Sequence, residues 1–139
     1  MRWLLPLLMI IGCSHAPPPP PKAQVQVGGI ADLAGTYTGG NEVDWGFFLT
    51  IDGDGKFALI VDRGKMGRCE QRGTLVAGAD KQSFEITFQR NECDRAHAGQ
   101  KLAVHVESFT GDELVLKTSG DGVADLRHYT RKAAPASVK

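Results

Sequence analysis

The chain has 139 residues, with 16 lysines and arginines against 16 aspartates and glutamates and a formal net charge of zero. That balance excludes a nucleic-acid binder, which needs a basic face against phosphates, and it excludes electrostatic adhesion to anionic lipid. About 100 residues carry domain-like patterning, enough for one hydrophobic core but not two.

The chain opens Met-Arg-Trp-Leu-Leu-Pro-Leu-Leu-Met-Ile-Ile-Gly-Cys. Arg2 supplies a positive start and Trp3 to Ile11 an apolar run, and Ile10-Ile11-Gly12-Cys13 sets two aliphatics and a small residue before a cysteine. The run is too short for a bilayer span, which takes about 20 residues. Pro6 and the five prolines from Pro17 to Pro21 stop a helix from extending.

This stretch resembles the signal of bacterial lipoprotein precursors, with a lipobox at residues 10–13. The resemblance implies a signal peptide over residues 1–12, removed to leave Cys13 as the N-terminus and lipid attachment site. Acyl chains such as palmitate contribute about 0.8 kcal/mol per buried methylene, and two chains already anchor stably. The implied placement is the cell envelope, with the membrane as partner through lipidated Cys13. Ser14 after the cysteine favours the outer membrane of a Gram-negative bacterium.

Residues 13–29 read as a tether. Five consecutive prolines favour extended polyproline II, rising about 3.1 Å per residue. The domain is expected over residues 30–132 and a disordered tail over 133–139. With Cys13 lipidated, Cys69 and Cys93 remain as an even pair in an oxidising compartment, which predicts a disulfide. Its loop of about 25 residues is worth roughly 3.5 kcal/mol in chain-entropy terms. The rival is a thiol or metal site built from Glu92, Cys93, Asp94 and His97, but no CxxC or HxxxH spacing accompanies them.

Alternation of period two predicts strands throughout the domain. Phe47, Leu49 and Ile51 share a face; Asp52-Gly53-Asp54-Gly55 turns the chain; Phe57, Leu59 and Val61 then alternate with Ala58, Ile60 and Asp62. Phe84, Ile86 and Phe88 repeat the pattern, as do Leu102, Val104 and Val106, and Leu114 and Leu116. Eight strands are expected, near 34–39, 45–52, 56–62, 67–76, 82–90, 100–109, 113–118 and 123–131. A meander of this length has two exposed edges unless it closes, so the expected fold is all-β: an antiparallel eight-stranded up-and-down barrel, with a two-sheet sandwich as the alternative.

Leu33-Ala34-Gly35-Thr36-Tyr37-Thr38-Gly39 opens the first strand, and Tyr129-Thr130-Arg131 ends the last. Together these segments resemble the calycin and lipocalin-like pattern, in which a Gly-x-Trp packs beneath an arginine and closes one barrel end. The resemblance implies barrel closure by Gly35, Tyr37 (in the tryptophan position) and Arg131, with Arg127 the alternative arginine. It also implies an interior that holds a small apolar ligand. In size and anchoring the chain is similar to small disulfide-bonded barrel lipoproteins that inhibit lysozyme, which gives a second expectation: an envelope protein as partner.

No catalytic residues, cofactor or metal are expected. From Asp52, the twelfth position of a calcium loop is Arg63 rather than glutamate, so that run reads as a hairpin. The histidines His15, His97, His105 and His128 are scattered, and no Gly-x-Ser-x-Gly elbow surrounds a serine. Among Trp45, Phe47, Phe48 and Phe57, Trp45 begins a strand and is the candidate for a ligand or contact surface.

Overall fold

The structure, a computed structural model, describes residue 12 and residues 16–40, 45–93, 99–120 and 123–132. Cys13 therefore lies outside the described residues, as do His15 and His97. Eight antiparallel strands follow one another in chain order: β1 (Gly35–Gly40), β2 (Gly46–Ile51), β3 (Lys56–Asp62), β4 (Arg68–Ala77), β5 (Ser83–Asn91), β6 (Lys101–Phe109), β7 (Glu113–Gly120) and β8 (Val123–Arg131). β1 pairs with both β2 and β8, so the sheet closes as an up-and-down barrel and the sandwich alternative is set aside. One short helix, α1 (Ile30–Leu33), precedes β1, and a 3-10 turn (Gly64–Met66) joins β3 to β4.

The alternation read from the sequence is the alternation of the walls. Phe47, Leu49 and Ile51 on β2 and Phe57, Leu59 and Val61 on β3 are buried, and the same holds for Val104 and Val106 on β6. Two bulges change the parity. Pairing slips between Arg72 and Gly73, leaving Gln89 extra on β5, so Asn91 shares the inner face with Phe88. A second slip between Val106 and Ser108 turns Phe109 inward. Gly73 sits inward beside the first bulge, where a Cβ would lie 2.9 Å from the Phe57 ring and 2.1 Å from the Thr87 carbonyl oxygen. Only glycine lets ring and backbone approach there.

The barrel has a base and a rim. The connections β2–β3, β4–β5 and β6–β7 lie at the base with α1; β1–β2, β3–β4, β5–β6 and β7–β8 lie at the rim. At the base, packing starts earlier than Ile30, the expected domain start. Val27 is fully buried, and the Val25 N–H donates to the Phe109 carbonyl at 2.6 Å. Residues 25–29 are thus part of the underside rather than free tether. The short helix was not legible as a periodicity because four residues make barely one turn.

Arg131 fastens the base. It pairs in register with Tyr37, and its guanidinium lies 5.3 Å from the Tyr37 ring centroid and 5.6 Å from that of Phe109. Its Nη2 donates to the Tyr37 hydroxyl at 2.7 Å and to the Asp32 carbonyl at 3.1 Å, and the Tyr37 hydroxyl donates to the Leu33 carbonyl at 2.8 Å. One cation thereby joins the last strand, the first strand and the end of α1. Gly35 has φ of 153°, and a Cβ there would lie 3.2 Å from Arg131 Nε, so the guanidinium needs the missing side chain. Arg131→Ala is expected to cost about 2–4 kcal/mol in denaturant unfolding, the scale of charged hydrogen bonds plus a cation–π contact. Arg131→Lys should recover only part, because lysine lacks the planar fork.

Candidate functional site: the barrel rim

From the base to the middle the inner wall is apolar, with Leu49, Phe57, Val104 and Leu116 buried and Ile86 and Leu102 half-buried against them. Phe57 and Phe88 meet edge to face with centroids 6.1 Å apart, and Phe47 and Tyr129 at 6.4 Å. Such pairs add about 0.5–1.5 kcal/mol beyond the area they bury.

Toward the rim the inner wall becomes polar. On β8, Tyr129 and Arg131 fix the parity, which sends Arg127 and Asp125 to the inner face while Leu126 and His128 face outward and are exposed. The Arg127 side chain is 23 % exposed, its Nε donates to Asp125 Oδ2 at 2.7 Å, and its guanidinium stands 4.7 Å over the Phe47 ring. Burial works against its charge, but Tyr129 and Asp125 more than offset this and hold its pKa above the ordinary guanidinium value. Tyr129 is buried; that burial pushes its phenol above 10.0, partly opposed by the Arg127 charge and hydrogen bond. Arg127, the alternative closing arginine, therefore sits farther up the barrel than Arg131 and does different work.

Trp45 lies at the start of β2, half-buried and packed against the core. The disulfide is on the same end of the barrel: Cys69 at the start of β4 is joined to Cys93 just past β5, with Cα atoms 5.0 Å apart. Next to it, Gln71, a buried polar side chain at 7 % exposure, donates to Asn91 Oδ1 at 3.1 Å, and that oxygen also accepts the Cys93 N–H at 3.1 Å. The bridge and this amide pair hold the end of β5 against β4. Neither Gln71 nor Asn91 stands out in the sequence, because the bulge at Gln89 is what brings them to one face.

Three polar side chains meet at the base instead. Ser83 Oγ lies 3.1 Å from Asp80 Oδ2 and 3.3 Å from His105 Nδ1. The serine, not the histidine, is in the middle, so the carboxylate cannot orient an imidazole that activates the hydroxyl, as a relay requires. Asp80 accepts the Gln82 N–H at 2.8 Å, and that bond, followed by the Ser83 hydroxyl, lowers its pKa. The trio organises the β4–β5 turn. Asp52-Gly53-Asp54-Gly55 is likewise a turn, closed by Gly55 N–H to the Asp52 carbonyl at 3.0 Å. Among the described residues no cluster of three or more histidines, cysteines or carboxylates could hold a metal ion.

No protein-family model matches the chain, and no curated protein matches it. Among the described residues, no helix is long and apolar enough to cross a membrane.

Two measurements check this geometry. Reduction of the Cys69–Cys93 bridge should lower stability by roughly 3.5 kcal/mol, read as a fall in denaturant midpoint, with a slope that rises as the unfolded chain loses its constraint. The chain has two tyrosines. Tyr129 should ionise above 10.0 in the folded protein, seen as a component of the tyrosinate absorbance titration that Tyr129→Phe removes. Because the folded value is the higher one, this stabilisation is complete below 10.0 and disappears as pH rises through the folded pKa.

Proposed function

We propose that this chain is a lipid-anchored lipoprotein of the cell envelope whose barrel is a binding module, with the rim as its working end and a small apolar ligand bearing a polar end as its occupant. The observation that carries the reading is Arg127: a guanidinium largely withdrawn from water, inside the wall, over an aromatic face. Protein interiors seldom hold a charge without a partner; Asp125 takes one of its five N–H donors and Tyr129 is its other hydrogen-bond partner. The ligand's apolar body would lie over Trp45 and its polar end against Arg127 and Asp125. The lipobox at residues 10–13 and the proline tether support the anchoring.

The buried apolar core favours a second reading, a protein-interaction or inhibitor lipoprotein without a small ligand, in which an envelope partner docks on the same rim. Mass spectrometry of small molecules retained by the purified lipidated protein separates the two. The first reading expects a retained species whose amount falls at least about tenfold in Arg127→Ala, the equivalent of about 1.4 kcal/mol. No retained species, together with a protein adduct from a photo-crosslinker at position 45, would replace it by the second.

A further inference from the structure

We infer that the barrel stands base-down on the membrane that holds it, so that the rim with Trp45, Phe47 and Arg127 faces the aqueous side and takes a water-borne occupant rather than a lipid of that membrane. The inference rests on lipid attachment at Cys13.

What carries it is the point where the chain leaves the barrel. Upstream of α1, the Gly28 N–H donates to Asp32 Oδ2 at 2.7 Å, Val27 is fully buried, and Val25 pairs with Phe109 at the end of β6. Farther back, Lys22 Nζ lies 3.4 Å from Asp112 Oδ2, on the turn between β6 and β7. All four contacts are on the base. Asp112 is also where the Arg131 N–H is received, at 2.6 Å, so the exit lies beside the Arg131 clamp. The tether thus emerges from the face opposite Arg127.

The lengths give this exit its consequence. Nine residue steps separate Cys13 from Lys22, a reach of about 28 Å at about 3.1 Å per residue. Strands of six to ten residues tilted by roughly 40° make a barrel about 20 Å tall. With the base toward the membrane, the exposed proline run extends freely between lipid and barrel. With the rim toward the membrane, the same run must bend back beneath the exit and travel the whole height of the wall. That uses up most of its span and opposes the stiffness of consecutive prolines. The base-down placement needs neither.

The test uses the full-length lipidated chain in vesicles that carry a lipid-linked energy acceptor. One donor dye is attached through Lys81→Cys in the β4–β5 turn at the base, and in a second protein through Met66→Cys in the β3–β4 turn at the rim; both native side chains are exposed. Transfer to the membrane should be several-fold faster from position 81 than from position 66. Equal transfer, or faster transfer from position 66, would overturn the inference while leaving the anchor intact. Cys13→Ser tests the anchor separately. Loss of vesicle binding supports it, and retained binding would remove both the anchor and the orientation that rests on it.

Discussion

β1 and β8 are the ends of the sheet, and each would present a row of unpaired N–H and C=O groups to water if they did not meet. Their pairing is short, from Tyr37↔Arg131 to Gly40↔His128, with the Lys132 N–H adding a bond to the Thr36 carbonyl. A seam of that length gains from reinforcement, and the reinforcement is concentrated at one end. The Arg131 guanidinium reaches the Tyr37 ring and hydroxyl and the Asp32 carbonyl, while Tyr37 itself is fully buried and bound to Leu33. The clamp ties the end of α1 to this seam, while residues 25–29 are held separately by the Val25 bond to Phe109.

Polarity inside the barrel follows from where the clamp is. At the base, Val27, Leu33, Phe109 and Leu114 fill the end that α1 covers, and the middle is layered with aromatic and branched side chains. Near the rim the inner wall admits Gln71, Asn91, Asp125 and Arg127. Buried polar groups of this kind are tolerated only when partnered, and each has a partner on a neighbouring strand, beside its own strand position or past a strand end. The disulfide holds the same end that the polar residues occupy. The arginine clamp and the apolar packing under α1 are thus at the base, and the polar inner wall and the disulfide at the rim.

Most of the strand plan was legible in the sequence, because a wall with one face in a core and one in water prints its period on the chain. Strands that alternate without interruption, such as β2 and β3, were readable nearly to their ends, and Asp-Gly runs marked a hairpin between them. The two bulges were not readable. An extra residue leaves composition unchanged while reversing the faces beyond it, so Phe109 and Asn91 could not be assigned inward from alternation alone. Val27 also escaped, since the Gln24-Val25-Gln26-Val27 alternation is only four residues long and runs into two glycines. The rim residues Arg127 and Asp125 could have been found: once Tyr129 and Arg131 are taken as inward, every second residue before them must be too. The Asp80, Ser83 and His105 meeting had no sequence signal, being made by β5–β6 pairing.

Amide hydrogen exchange across the β1–β8 seam tests the central claim most directly. In a closed barrel, the amides that bond across it, from Thr38 to Gly40 and from His128 to Lys132, exchange only through global opening and so share the protection of central β3 and β4 amides. An open sheet would leave both sets of these groups to water. Rapid exchange along β1 and β8, with β3 and β4 still protected, would contradict closure and everything built on it.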